Sequence, residues 1–234
     1  MKLDVLAFAA HPDDLEITCG GTLRRLVDEG RRVGACDLTR GEMGTYGTPA
    51  TRERELRSAA KTLGLAARVN AGLPDSGVFN TREQQLPVVE ILRELRPEVV
   101  ILPGLEQRHP DHSTCPRLVF DACYFAGLAK FAATGGPHRP RKILYVHTGY
   151  TRTAPSFVVD VTKQMARKLK AVAAYRSQFP AKGPGLARRD EMFRWIQDRG
   201  RTYGQMIDTK YGEGFVQREM MQVGDVMKVP GRSI

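Results

Sequence analysis

The order of apolar runs along this chain predicts an α/β protein, a Rossmann-like three-layer sandwich in which helices cover both faces of a mostly parallel sheet. Three observations predict it. Short strand-like runs alternate with amphipathic stretches of helical period, glycine or proline stands where helices should stop, and no repeat or low-complexity tract divides the 234 residues into more than one domain.

In order, Leu3 to Ala9 reads as a buried strand, followed by a helix from about Thr18 to Glu29 that Gly30 closes. Val33 to Thr39 is the second strand, and a loop rich in Gly and Thr, Arg40 to Pro49, leads to a helix from about Ala50 to Leu63 ending at Gly64. A short strand around Arg68 to Ala71 precedes a helix from about Leu86 to Leu95, stopped by Arg96-Pro97. Then come Val99 to Pro103 as a strand and a helix from about Ser113 to Ala129. Past the Thr134-Gly135-Gly136-Pro137 loop, Ile143 to Thr148 and Phe157 to Val161 complete the sheet, so the core runs to about residue 161. Two helices, Lys163 to Tyr175 and Asp190 to Met206, lead to a Tyr211-Gly212-Glu213-Gly214-Phe215 turn and an extended tail.

Composition narrows the functional classes. The apolar stretches are far shorter than the ~20 residues a bilayer span needs, so no membrane segment is expected. The first strand begins at Leu3 with no signal-peptide pattern, and Cys19, Cys36, Cys115 and Cys123 fall in no C-x-x-C spacing. Buried reduced thiols and a cytoplasmic location are the expectation. A net charge of +10 raises nucleic-acid binding, but cations alternate with anions, as in Arg52-Glu53-Arg54-Glu55, and no aromatic-rich basic ribbon appears. A small anionic substrate accounts for the charge at least as well.

The chemistry concentrates in two segments, Ala10-His11-Pro12-Asp13-Asp14 and His109-Pro110-Asp111-His112, each directly after a predicted buried strand. In an α/β sheet those strand ends open the crevice where ligands bind. Taken alone, Asp13 and Asp14 read as caps of the following helix. A second strand end offering two histidines favours a metal site, with His11, Asp14 and His112 as ligands and a position left for water. Zinc leads; iron, cobalt and manganese stay open. Asp13, next to a ligand, is then the general base, and His109 stabilises the oxyanion or protonates the leaving nitrogen. Asp111 orients a histidine from behind. Arg52, opening a helix where a cation gains nothing from the dipole, is either an anion-binding group or a solvated surface arginine. Gly20-Gly21 reads as close packing of the first helix, since no G-x-G-x-x-G or P-loop spacing is present. His138 and His147 read as structural or exposed rather than as ligands, and Trp195 and Phe193 as core.

The A-H-P-D-D-L-E and R-H-P-D-H segments, with P-D-S-G at 74–77 and Y-G-E-G-F at 211–215, resemble the LmbE-like, or PIG-L, zinc deacetylases over nearly the whole chain. The length and terminal motif look most like the bacillithiol-biosynthesis branch, which deacetylates N-acetylglucosaminyl malate; an inositol glycoside, a chitooligosaccharide or a glycopeptide are the alternative substrates. A Rossmann-like nucleotide-binding module is the alternative outside enzymes. The resemblance implies the same ligands, base and assisting histidine, adds Arg52 and Arg139 as substrate-contacting cations, and implies a homo-oligomer, often a hexamer. It departs at Gln107, where mycothiol-pathway relatives carry tyrosine, and at Met192 and Phe193, where some malate-branch members carry a mobile one. Tyr203 is left as another hydroxyl donor.

Overall fold

The computed structural model describes residues 1–149, 154–182, 186–225 and 227. Along the chain the elements are β1 (Val5–Ala9), α1 (Asp14–Asp28), β2 (Val33–Asp37), α2 (Pro49–Leu63), β3 (Ala67–Asn70), α3 (Arg82–Leu95) and β4 (Val99–Leu102). They continue with α4 (Pro110–Ala126), β5 (Lys142–Val146), β6 (Phe157–Asp160), α5 (Met165–Val172), α6 (Leu186–Gln205) and β7 (Gly212–Val216). Among the described residues, seven strands form one sheet in the order β3-β2-β1-β4-β5-β7-β6. The first five run parallel, and β7 lies antiparallel between β5 and β6.

This order places the site. The chain builds outward from β1 to β3, then returns through α3 to lay β4 on the other side of β1, with Val5 opposite Val99 and Ala7 opposite Ile101. Strand order therefore reverses between β1 and β4, and the backbone diverges there at the C-terminal strand ends. Every side chain of β1 is buried, as a central parallel strand covered on both faces requires. Leu6 and Phe8 face Val88, Val89 and Leu92 of α3 and Leu118, Val119 and Ala122 of α4. Val5 and Ala7 face Leu15, Cys19 and Leu23 of α1. A third cluster joins Leu63 to Val161, Met165, Tyr175 and Ile196.

Local chemistry sets the helix ends. Thr48 caps α2 by accepting from the Thr51 N–H ahead of Pro49, Gly64 ends it at φ 78°, and Thr81 caps α3 through the Gln84 N–H. Helix α1 begins four residues before the expected Thr18, and α4 three before Ser113, because the motif segments themselves form the first turns.

Helices α3 and α6 also begin four residues before the expected Leu86 and Asp190, and one element differs in kind. The Tyr211-to-Phe215 segment, expected as a turn, is strand β7. Its glycines serve close packing: a Cβ on Gly212 would stand 2.5 Å from Val158 Cγ1, and one on Gly214 2.8 Å from Tyr203 Cε1. The four cysteines are buried and free. No helix among the described residues is long and apolar enough to cross a membrane. Of the expected extended tail, 228–234 lies outside the described residues.

Candidate metal centre and active site

The loop after β1 and the first turn of α4 converge across the reversal point. His11 Nδ1 lies 3.0 Å from His112 Nε2, His112 Nε2 lies 3.2 Å from Asp14 Oδ2, and His11 Nδ1 lies 3.6 Å from the same oxygen. Donors held about 2.0–2.1 Å from a tetrahedral ion stand roughly 3.3 Å from one another, so this triangle matches one face of such a site. The three expected ligands thus fit a divalent metal.

The supports behind His11 fix which nitrogen faces that triangle. His11 Nε2 lies 2.9 Å from Asp75 Oδ1 and 3.2 Å from Asp111 Oδ2. A ring nitrogen between two carboxylates carries the hydrogen, which leaves the Nδ1 lone pair for a cation. Asp111 is itself held by the Ser76 and Val78 N–H groups, and Asp75 Oδ2 accepts from the Met43 N–H at 2.8 Å. Asp111 has the orienting position expected of it. Asp75 is a site residue that sequence reasoning missed; the P-D-S-G segment was the available signal, but it carried no role.

Burial opposes charge on His11, yet the Asp14 hydrogen bond and the charges of Asp14, Asp75 and Asp111 outweigh it and push its pKa up to about 9. For Asp14, burial favours the acid, but His112 and His11 together hold it well below the usual carboxylate range. These groups therefore favour positive charge between them.

Asp13 stays outside the triangle. Its φ of 98° puts it in the left-handed region, and its side chain makes no capping hydrogen bond, so the helix-cap reading does not hold for it. Burial and the Asp14 carboxylate push its pKa well up, with Arg52 opposing them. Arg52 is buried: Nη1 donates to Gly41 O at 3.0 Å, Nη2 donates to Pro12 O at 2.8 Å, and Nη2 stands 3.7 Å from Asp13 Oδ2. A Cβ on Gly41 would lie 2.1 Å from that Nη1, which is why glycine is needed there, at φ +68°. Arg52 thus ties the loop after β2 to the Asp13 turn, and the surface-arginine reading is overturned.

His109 stands at the mouth, its ring centroid 4.9 Å from that of His11 and 5.0 Å from that of His112. Its Nδ1 accepts from the Asp111 N–H at 3.2 Å, capping α4, so a neutral ring carries its hydrogen on Nε2. Burial, then the neighbouring His11 and His112, push its pKa down.

Other residues lie elsewhere. Arg139 is not brought to the site: it stacks 4.7 Å above the Tyr124 ring and donates to Tyr124 O, twelve residues along α4 from His112, or about 18 Å of helix. The Tyr203 hydroxyl is buried against His147, 2.5 Å from Nδ1 and 2.9 Å from the carbonyl oxygen to which it donates. Gln107 donates to Thr148 Oγ1. His138 contacts Pro97 O, and both His138 and His147 have the structural settings expected of them. Trp195, expected in the core, is 41% exposed beneath the Arg199 guanidinium.

Residues 6–123, from β1 to late α4, match the family described as "PIG-L: GlcNAc-PI de-N-acetylase". The chain is 30% identical to diacetylchitobiose deacetylase of Thermococcus kodakarensis, over 90% of this chain and 81% of that one. It is 28% identical to a probable N-acetyl-α-D-glucosaminyl L-malate deacetylase 2 of Bacillus cereus, over 77% and 86%. Among solved structures, a conserved protein of Thermus thermophilus superposes with a TM-score of 0.86 at 40% identity, covering 95% of this chain and 98% of that one. With both motif-bearing strand ends inside the matched span, the chain belongs to the PIG-L family of de-N-acetylases.

Proposed function

We propose that this protein is a zinc-dependent hydrolase that removes the N-acetyl group from an N-acetylglucosamine conjugate. The observation that carries the reading is the donor triangle of His11, Asp14 and His112 beside Asp13, a carboxylate outside that triangle, at the reversal point of the sheet. Two imidazoles and one carboxylate at tetrahedral spacing suit zinc, which takes water as a fourth ligand in catalytic sites. A divalent cation, when bound there, supplies Lewis acidity to the amide carbonyl and to water.

The chain's own residues do the rest. Asp13, left free of capping duty, accepts the proton of water as its oxygen bonds to the acetyl carbon. Arg52 fixes the turn that carries this carboxylate by holding the Pro12 carbonyl and the Gly41 loop, with its Nη2 3.7 Å from Asp13 Oδ2. His109, through its Nε2 hydrogen, stabilises the negative charge growing on the carbonyl oxygen. When the C–N bond breaks, the nitrogen takes the proton that Asp13 had accepted from water, and acetate and a free glucosamine amine leave. Asp75 and Asp111 hold His11 throughout.

The finer reading is N-acetylglucosaminyl malate, supported by the Bacillus cereus relative. A chitooligosaccharide is the second reading, favoured by the Thermococcus relative's wider match to this chain. The Arg139 argument for an anionic aglycone falls away with that residue's position at the far end of α4. Accordingly, Arg139→Ala is expected to leave kcat/KM for the malate glycoside within about twofold of the parent, as a surface substitution does. A tenfold loss would return Arg139 to the substrate. A nucleotide-binding role is disfavoured because His11-Pro12-Asp13 occupies the turn where a glycine fingerprint would sit. The four buried free thiols support a cytoplasmic setting.

The test is release of free amine from N-acetylglucosaminyl malate, its inositol counterpart and diacetylchitobiose, with and without a chelator. Amine and acetate should appear in equal amounts from at least one, stop with chelator and return with zinc. Absence of amine from all three with zinc added would overturn the reading.

A further inference from the structure

Helix α1, whose first residue is Asp14, is broken. Cys19 sits at φ −129° and ψ 16°, outside helical geometry, so the helix is a short upper segment, Asp14 to Thr18, and a longer lower one. Each broken end meets a charge of the sign its dipole favours. The Glu213 carboxylate of β7 accepts from the Gly21 N–H through Oε1 at 3.0 Å and from the Thr22 N–H through Oε2 at 2.7 Å. Lys168 of α5 donates its Nζ to Thr18 O at 3.2 Å, and Arg199 reaches the same carbonyl at 3.4 Å. Lys168 and Glu213 are 2% and 4% exposed and contact each other at 2.5 Å.

We propose that Glu213, paired with Lys168, is a positioning residue for the metal centre: it holds the break in α1 and so sets the direction in which the upper segment presents Asp14. The assignment rests on the metal-centre reading above. The upper segment spans little more than one turn, too short to take its direction from helix continuity. It is held at its start by His11, whose backbone N–H donates to Asp14 Oδ2 at 2.9 Å, and at its middle by Glu16, buried and paired with Arg68, which Asp37 binds in turn. Its end is held by Lys168 and Arg199, and the lower segment it must meet is held by Glu213. Gly21 makes the approach feasible, since a Cβ there would lie 2.9 Å from Glu213 Oε1 and 2.8 Å from Val161 Cβ. Gly21 and the Y-G-E-G-F segment are thus two halves of one contact, while Gly20 lies against the Lys168 side chain.

A buried ion pair adds little stability over neutral partners of the same size, so removing both charges separates positioning from stability. The test is Glu213→Gln/Lys168→Met, in which no ammonium reaches Thr18 O and the amide offers one acceptor for two N–H groups. The proteins are loaded with cobalt(II), and its ligand-field spectrum and its affinity, by competition with a chelator, are compared with the parent's. The expected result is an altered spectrum and about tenfold weaker binding, in a metal-free protein that folds cooperatively and melts only a few degrees below the parent because one buried N–H is left unpaired. An unchanged spectrum and affinity would overturn the proposal, as would an affinity loss that merely follows a fall in metal-free stability. Should the double variant fail to fold, Glu213→Asp, which keeps the charge pair but draws the carboxylate back by about 1.5 Å, is judged by the same readouts. A parent protein that binds no cobalt would sink the metal reading itself, a different outcome from an unchanged variant of a cobalt-binding parent.

Discussion

Asp13→Asn is expected to lower kcat by roughly 10³-fold while metal content, measured by elemental analysis, stays at the parent's level. The substitution isolates one property. Asparagine has the shape of aspartate and tolerates the left-handed backbone that Asp13 adopts at φ 98°, so the turn before α1 is unstrained by the change. It still offers Arg52 an oxygen. What it lacks is the capacity to take a proton from water, and Asp13 stands outside the triangle of His11, Asp14 and His112 that the metal needs. Activity within tenfold of the parent would remove Asp13 as the base, and loss of metal would mean that it is a ligand.

His112→Ala should act on the other half of the site. Removing Nε2 takes away the corner that stands 3.0 Å from His11 and 3.2 Å from Asp14, leaving two donors for an ion that takes three. Metal affinity is expected to fall more than about 100-fold, beyond what losing an outer hydrogen bond to a ligand costs, with kcat at the zinc-free level. Imidazole added to the variant should restore part of both. His112 is partly exposed at the head of α4, so the metal-free variant should fold and melt near the metal-free parent, within the range of surface substitutions. Full metal occupancy in His112→Ala would exclude it as a ligand and leave His109, whose nitrogen also lies within reach of the other two histidines, as the third.

How much of this was legible beforehand varies residue by residue. His11, Asp14, His109 and His112 stand a few positions after apolar runs, and a run of that kind in an alternating α/β chain ends at the crevice whichever neighbours it later acquires. Asp75 was not legible as a support. It follows β3, the sheet's edge strand, and reaches His11 only because β2 and β3 lie beside β1 in that order. The sequence leaves Arg52 open to an anion or to solvent, since its place on α2 says nothing of the Gly41 and Pro12 carbonyls that enclose it. Arg139 was drawn toward the site by resemblance alone, and the length of α4 carries it away. The Y-G-E-G-F segment misled in a different manner. Its glycines signal a turn locally, whereas what they answer is the nearness of Tyr203 and Val158 on other elements.

The alternation of elements, the two motif-bearing strand ends and the kinds of donor atom were determined by the sequence alone, because periodicity and side-chain chemistry are properties of neighbouring residues. Only the tertiary structure decided which nitrogen of His11 faces Asp14 and His112, what lies against Asp13, and how Glu213, 192 positions beyond Gly21, comes to accept from the N–H groups of the helix that begins at Asp14. Those outcomes depend on strand order and on packing between distant segments, where a shift of one or two ångströms makes or breaks a hydrogen bond.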